Sequence, residues 1–159
     1  MDLSEMLMLG DPGLYQVSME LQPEDVQDVQ EWAIGLDGII LQFRSRYGAG
    51  RAVAAPQMGI FKRLVCMHID APVVMINPIL SEMSAEMFEI WDDCMCFPNL
   101  LVRVKRHRSC ILQFRDLDWK EHTWHLKDDL SELLQHEVDH LNGILATQRA
   151  IDNCAFQWR

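Results

Sequence analysis

The sequence lacks any long uninterrupted apolar run, although 49% of its 159 residues are hydrophobic. A transmembrane helix needs about 20 consecutive apolar residues, so the chain is not expected to span a membrane. It also lacks a basic start, because the first residues, MDLSEMLMLGDPG, contain no lysine or arginine. A secretory signal begins with a positively charged region. These two absences favour a soluble globular protein in the cytoplasm.

Positive charge is scarce throughout the chain. Fourteen lysines and arginines face 24 aspartates and glutamates, which gives a formal net charge of -10. Proteins that bind nucleic acid are usually basic because they neutralise phosphates, so nucleic acid is not expected as a direct partner. The only basic cluster, Arg103 to Arg108, begins with charged residues that alternate with valine. This alternation is typical of a strand with one face in water.

Cysteine is present in an odd number, five, in a chain of ordinary domain length. Such a chain can bury a core without disulfides, and nothing in its N-terminus indicates export. Free thiols or metal ligands are therefore expected in place of a disulfide framework. With no evident linker, residues 1–159 are predicted to form one domain.

Hydrophobic periodicity predicts two helices and a mainly antiparallel sheet. The first helix should open at Pro23 and end at Gly48. The second should begin near Asp128 or Asp129, with Asp129 capping it and Glu132 closing a capping box. Segments 64–69, 73–78 and 122–126 are predicted as strands, 101–118 as a long strand or strand pair, and 82–91 as an extended pair.

The second helix carries the motif that organises the chain, Gln135 to Leu145, with the sequence QHEVDHLNGIL. His136 and His140 are one helical turn apart, so their rings can converge on one ion. Glu137 lies beside them, which completes the H-E-x-x-H arrangement of metal hydrolases. The plain alternative is an amphipathic helix with surface histidines.

A third ligand is missing downstream of this motif. Metzincin proteases place a histidine ten positions after the first one, but this chain has Ala146 there, and no glutamate follows Glu137. The third ligand must therefore lie upstream or be absent. Spacing alone does not choose between Cys94 and Cys96.

Three segments together resemble the motifs of the peptide deformylase family, in order and over nearly the whole chain. The first family motif, G-x-G-x-A-A-P-Q-x-G, is matched by Gly50, Ala54, Ala55, Pro56, Gln57 and Gly59. The second, E-G-C-L-S before a proline, is matched from Asp92 to Pro98, and the third, Q-H-E-x-D-H-L, from Gln135 to Leu141. The resemblance implies an α+β fold of antiparallel sheets packed around a central helix that carries the H-E-x-x-H motif.

The resemblance also implies a chemistry, the hydrolysis of an N-formyl group from the amino terminus of a nascent peptide with release of formate. Cys94, His136 and His140 would bind one divalent ion, iron(II) natively, with zinc, nickel or cobalt as replacements. Glu137 would move the proton, and the Gln57 amide and the Met95 backbone N–H would stabilise the oxyanion. The partners would be N-formyl peptides, including nascent chains on the ribosome.

Further expectations concern the residues around the ligands. Asp92 is expected to pair with Arg103 and to accept a hydrogen bond from a ligand histidine, since metal ligands usually have such partners. Ala52, Asp93 and Cys96 depart from the family motifs, in which glycine, glycine and serine stand. Asp93 would be strained if the backbone there had a positive φ, and Cys96 is either a small buried thiol or an oxidation-sensitive neighbour of the site.

The pocket for the first side chain of the substrate departs most from the family pattern. The residues mapped to substrate binding are Gly50, Arg51, Ala52, Val53, Ile90, Asp129, Glu132 and Leu133. Arg51, Asp129 and Glu132 occupy positions that are typically apolar in the family, which predicts a preference other than formyl-methionine. Alternatively, Asp129 and Glu132 cap their helix and face water. A hydrolase of another N-formyl compound and a non-catalytic binding protein of the same fold remain the other interpretations.

Overall fold

The structure, a computed structural model, describes residues 1–159. It contains two α-helices, α1 (Val26–Tyr47) and α2 (Asp129–Leu141), joined by strands and short 3-10 turns. The strands are β1 (Ala52–Ala54), β2 (Leu64–His68), β3 (Pro72–Ser81), β4 (Met87–Asp92), β5 (Leu100–His107), β6 (Ser109–Arg115), β7 (Glu121–Lys127) and β8 (Phe156–Trp158). Neither helix is long and apolar enough to cross a membrane.

The strands form two antiparallel sheets. The larger has five strands in the order β1-β2-β3-β6-β7, and the smaller has three in the order β4-β5-β8. This confirms the predicted α+β class with antiparallel sheets. The segment 82–91 differs from its prediction, because it contributes one strand, β4, and this strand pairs along its whole length with β5.

Helix α1 begins and ends where its sequence signals predict. Pro23 opens a 3-10 turn that leads into the helix, and Gly48 ends it with a φ of 71°. Glycine suits this left-handed position because it has no Cβ to clash. The predicted apolar stripe is buried from Val29 to Phe43 and packs against β1 and β2.

Helix α2 is central, since it packs against strands of both sheets. Eleven of its 13 residues are buried, and several of these are polar. Burying a polar group is costly unless it is hydrogen-bonded. Gln135 shows how the cost is met: its amide accepts from the backbone N–H of His107 at 2.9 Å and donates to the carbonyl of the same residue at 2.9 Å. The motif-bearing helix is thus fixed to β5 by specific contacts.

The predicted capping box at the start of α2 is wrong. The residue before the helix is Asp128, which has a φ of 53° and caps no backbone N–H with its side chain. Its carboxylate binds Arg108 at 3.0 Å instead. Asp129 is the first helical residue and is exposed, while Glu132 is buried. The capping box fails because the sharp turn out of β7 sets the backbone here.

The turn after α2 brings the backbone close to the N-terminal segment. Gly143 has a φ of 70°, and a Cβ on it would lie 2.4 Å from the carbonyl oxygen of Tyr15. Nearby, the backbone N–H of Ser18 donates to the carbonyl of Leu141 at 2.9 Å. The N-terminal segment therefore holds the C-terminal end of the motif-bearing helix, and only glycine fits at the turn.

Candidate metal centre

Three potential metal ligands meet between α2 and the loop that follows β4. The Sγ atom of Cys94 lies 3.3 Å from Nε2 of His140, and this nitrogen lies 3.2 Å from Nε2 of His136. All three donor atoms lie within 4.8 Å of one another, and all three residues are buried. The structure therefore brings together the ligand set that the resemblance implies, and it places no other residue of this kind in the cluster.

The donor set fits a divalent metal ion. Two nitrogen ligands about 2.0–2.1 Å from a tetrahedral ion are about 3.4 Å apart, close to the observed separation of the two histidine Nε2 atoms. One sulfur and two imidazole donors suit borderline or soft ions such as zinc or iron. Three protein ligands also leave one position open, which is typical of a catalytic metal site and not of a structural one.

Burial shifts the protonation of the ligands in the absence of an ion. It raises the pKa of the Cys94 thiol well above its ordinary value and lowers the pKa of His140 well below its own. Both groups are therefore neutral in the metal-free protein. A coordinating thiol is deprotonated by its ion, so metal binding at this cluster is coupled to loss of the Cys94 proton.

Asp92 orients His136, the first histidine of the candidate metal site. Its Oδ2 atom lies 2.9 Å from Nδ1 of His136 and 2.9 Å from Nη2 of Arg106. Burial alone raises the pKa of Asp92, but His136 and Arg106 outweigh it and lower the pKa to about 2. An ionised carboxylate only accepts hydrogen bonds, so Nδ1 of His136 is the donor. Nε2 is thereby directed towards the cluster.

The predicted partner of Asp92, Arg103, is wrong. Arg103 forms an ion pair with Glu89 on the outer face of the small sheet. Successive side chains of a strand point to opposite faces, and Val102, Val104 and Arg106 share the buried face of β5. The signal was present in the sequence, because Arg106 continues the valine alternation inwards whereas Arg103 lies between the two valines.

Arg106 also connects the cluster to a surface residue that sequence reasoning missed. Its Nη1 donates to Oδ2 of Asp139 at 2.6 Å, and the same carboxylate binds Arg149 through two contacts of 2.7 and 2.8 Å. Arg106 is only 2% exposed. We call the residues Asp92, Arg106, Asp139 and Arg149 the back network. The network runs from Arg149 near the C-terminus through Asp139 on α2, Arg106 on β5 and Asp92 on β4, and it ends at His136.

Glu137 lies beside the two ligand histidines and is buried. Its Oε2 atom has no hydrogen-bond partner in the protein. Burial raises the pKa of Glu137 to about 7. A carboxyl group with a pKa near neutrality can both accept and release a proton, so the environment of Glu137 suits proton transfer.

The side chain of Gln57 has a fixed orientation. Its Oε1 atom accepts from the backbone N–H of Ala54 at 2.8 Å, which turns Nε2 towards Cys96 at 3.3 Å and Cys94 at 3.6 Å. The amide donor thus points at both cysteine sulfurs, of which that of Cys96 is the nearer. Cys96 is fully buried behind it, and all five cysteines are free, as the composition predicts.

The departure at Asp93 carries no backbone strain. The non-glycine residues with positive φ are Asn77, Glu82, Trp119 and Asp128. Asp93 is not among them, so the expected cost of replacing glycine is absent. Its carboxylate binds Arg159 at 3.0 Å instead.

A cavity of about 210 Å³ opens onto the cluster. Both Glu137 and Met95 line it. The predicted substrate-binding residues that line it are Gly50, Arg51, Ala52, Glu132 and Leu133. Three further lining residues, Phe43, Ala49 and Asp93, were not predicted as site residues.

Three predicted substrate-binding residues do not line the cavity. Val53 is fully buried in the core, because its side chain points to the opposite face of β1 from that of Ala52. Ile90 packs against the same core. Asp129 is exposed at the start of α2. Sequence mapping gave the order of these three residues along the chain and not the direction of their side chains, so their place in substrate binding stays a prediction.

Arg51 and Glu132 form an ion pair in the cavity wall, with Nη2 of Arg51 2.7 Å from Oε1 of Glu132. Glu132 is 8% exposed, so it does not face water as the capping alternative required. Burial raises the pKa of Glu132, and Arg51 opposes this shift. Glu132 is therefore a charged residue of the cavity wall, as the sequence mapping predicts, and Arg51 neutralises it.

Comparison with known proteins gives matches over nearly the whole chain. The family model described as polypeptide deformylase matches residues 3–155. A peptide deformylase of Dictyoglomus thermophilum is 32% identical over 151 residues, which cover 94% of this chain and 94% of that protein.

Solved structures agree with the sequence matches. The crystal structure of peptide deformylase from Thermotoga maritima has a TM-score of 0.81 and 26% identity, and the match covers 92% of this chain and 97% of that one. The peptide deformylase from Synechococcus elongatus, solved in complex with actinonin, also has a TM-score of 0.81 and 26% identity, over 93% of this chain and 79% of that one.

Proposed function

Because this chain belongs to the polypeptide deformylase family, whose members are metal-dependent hydrolases, we propose which of its residues perform the family's reaction. The reaction removes the formyl group from the amino terminus of nascent peptides and releases formate. It depends on a single divalent metal ion. The observation that carries the proposal is the convergence of Cys94, His136 and His140 beside the buried Glu137.

Cys94, His136 and His140 hold the ion. Iron(II) is the proposed native metal, with zinc, nickel or cobalt as possible replacements, since a thiolate with two imidazoles accepts each of these ions. When bound, the ion supplies Lewis acidity towards the formyl carbonyl and the attacking water. Asp92 and Arg106 keep His136 in the tautomer whose Nε2 is free to bind.

Glu137 accepts the proton of the attacking water and delivers it to the amine that leaves. Its burial next to the ligands and the unpartnered Oε2 atom support this role. Positioned acid–base groups of this kind contribute about 10²–10⁴ in rate. A binding protein without catalysis would have no use for a buried carboxyl with an empty hydrogen-bonding position at this point.

Gln57 and Met95 stabilise the negative charge that develops on the formyl oxygen. The Gln57 amide is held by Ala54 with its donor towards the ligand sulfur, and the backbone N–H of Met95 follows the ligand Cys94 directly. Donors that are already oriented before the reaction stabilise such charge without the cost of reorganisation.

Residues 1–159 act as one catalytic domain in this proposal. The substrates are N-formyl peptides, and nascent chains on the ribosome are the proposed source. A cytoplasmic location follows from the substrate, because formylated nascent chains must be met where they are made.

The test is formate release from formyl-Met-Ala-Ser by protein purified without oxygen and loaded with iron(II) or nickel(II). The Glu137→Gln protein is the matched variant, because glutamine keeps the shape of the side chain but does not accept the proton. We expect bound metal in both proteins and at least about a 100-fold slower release by the variant. Equal rates in the two proteins would contradict the role of Glu137, and absence of metal from both would contradict the ligand assignment.

A further inference from the structure

The ion pair of Arg51 and Glu132 occupies the wall that the first side chain of the substrate would contact. Arg51 lies just before β1, and Glu132 lies one turn before the ligand His136 on α2. Both residues line the same cavity as Glu137 and Gln57. The same wall includes the apolar residues Phe43, Ala49 and Leu133 and the carboxylates of Asp92 and Asp93. The pair therefore places a guanidinium and a carboxylate beside apolar side chains in a mixed wall.

The pair is neutral as a whole, which disfavours charged side chains in the pocket. A charged side chain would be repelled by the member of the pair with the same sign and attracted by the other, so it would lose its water without a net compensating charge. Glu132 itself is only 8% exposed. Like charges placed close together inside a protein repel strongly because the local dielectric constant is low. The two other carboxylates in the wall also have basic partners, since Asp93 is paired with Arg159 and Asp92 with Arg106.

Hydrogen-bonding capacity remains on the pair. A guanidinium has five N–H donors, and the side chain of Arg51 makes one hydrogen bond to a protein atom, through Nη2 to Glu132. The side chain of Arg51 is 39% exposed, so its other donors are accessible. A thioether is a weak acceptor, whereas an amide or sulfoxide oxygen is a strong one. A methionine side chain in this pocket would cover these donors without bonding to them, which is unfavourable.

We propose that Arg51 and Glu132 make the first-residue pocket selective for a neutral side chain that ends in a hydrogen-bond acceptor, such as methionine sulfoxide or glutamine, over methionine. The inference rests on the proposed deformylase function and specifies its substrate class. Methionine sulfoxide retains the chain length of methionine and replaces an apolar sulfur by a polar one. Arg51 donates to the acceptor, and Glu132 holds the guanidinium in place.

The competing possibility is that the pair only closes the pocket. Arginine can lay its aliphatic stem along an apolar group while its charged end stays in water. The thioether of methionine would then pack against the stem, and replacement of the pair by apolar residues would leave the selectivity unchanged. The same peptides distinguish the two cases, because replacement of the pair changes the selectivity in the first case and leaves it unchanged in the second.

The experiment measures kcat/KM for peptides formyl-X-Ala-Ser, where X is methionine, methionine sulfoxide, norleucine, glutamine, lysine or glutamate. Norleucine serves as the apolar reference of equal length. We expect the wild-type protein to favour sulfoxide over norleucine by about tenfold, the usual effect of one hydrogen bond to a charged group. In the Arg51→Leu/Glu132→Leu protein this ratio should fall by about tenfold or more.

Single conservative variants test the charge argument if the double variant does not fold. Glu132→Gln leaves Arg51 without its counter-charge, so kcat/KM for the glutamate peptide should rise about tenfold relative to norleucine. Arg51→Gln should raise the relative rate of the lysine peptide in the same way. Glu89→Gln is the matched control, because it removes a glutamate from an exposed arginine pair on the outer face of the small sheet. It should leave every ratio unchanged.

The result distinguishes the inference from the function on which it rests. Release from the peptides with the same ratios in wild-type and double-variant protein would overturn the inference and leave the deformylase function intact. Absence of release from every peptide would contradict the function itself. In that case the dissociation constants of the same peptides for the metal-loaded Glu137→Gln protein still rank the side chains, and a uniform ranking in the presence and absence of the pair would overturn the inference.

Discussion

His136 of the candidate metal site and Glu132 of the cavity wall lie one helical turn apart on α2. The residues around the first match the family motif, whereas those around the second depart from the family pattern. Around His136 the chain retains every residue type that the family motif requires, and the side chains are buried. Around Glu132 it has charged residues where the family typically has apolar ones. Coordination accepts few donor types and little change in distance, whereas a pocket wall is limited only by what it must contact. The difference indicates that metal coordination restricts the residue types near His136 more strongly than contact with the substrate restricts those near Glu132.

The largest effect should come from removing a ligand. In the His140→Ala protein two ligands remain, so the bound metal should be lost and formate release should fall by at least about 1000-fold. Metal content after dialysis and the rate of formate release are the measurements. His125→Ala is the control, because His125 is exposed on β7, and it should behave as wild type. A metal-loaded, active His140→Ala protein would separate this histidine from the cluster.

Substitution in the back network should weaken metal binding without altering the residues of the cavity wall. Arg106→Met leaves Asp92 and Asp139 with fewer partners in the interior, which should cost about 3–5 kcal/mol of unfolding free energy. Metal affinity should also fall about 10–100-fold, because His136 loses its oriented partner.

Arg103→Met is the matched control for the back network. Arg103 forms an exposed pair with Glu89, and such pairs contribute about 0–1 kcal/mol. Denaturant unfolding and metal competition measure both quantities. Equal effects of the two substitutions would contradict the assignment of Arg106 as the residue that supports the ligand histidine.

The turn after α2 holds both regions in place, so a change there should affect them together. Gly143→Ala puts a methyl group against the Tyr15 carbonyl at a positive φ, and we expect a loss of about 2–4 kcal/mol in unfolding free energy. Gly38→Ala is the control: it lies within α1 and its new Cβ would have no neighbour within 4 Å. It should stabilise the protein by up to about 1 kcal/mol. Thermal unfolding of both proteins measures the two changes in stability, and an unchanged stability of the Gly143→Ala protein would contradict the prediction.

The smallest effect should come from the charged residue at the edge of the wall. Asp129 was predicted to line the pocket, but it is exposed and does not contact the cavity. Asp129→Asn should therefore change kcat/KM for each formyl peptide by less than about twofold, since exposed charges interact weakly through water. A larger change in kcat/KM, confined to peptides with a charged first residue, would show that Asp129 also acts on the substrate side chain.

Much of the architecture was predictable because its signals are local. Pro23 and Gly48 mark the ends of the segment that contains α1, and the alternation along β6 places Cys110, Leu112 and Phe114 in the core. The failures share a different cause. The capping box at Asp129 and the pair of Asp92 with Arg103 were both assigned from sequence spacing, whereas a turn with positive φ and the facing of a strand decide them.

The sequence by itself determined the donor types of the candidate metal site, their order along the chain and the helix that carries two of them. Helical spacing sets His136 and His140 on one face of that helix. Tertiary structure alone decided that Arg51 meets Glu132, because the two residues are 81 positions apart on different elements. Such pairs depend on how α2 packs between two sheets, and no local pattern in the chain encodes that packing.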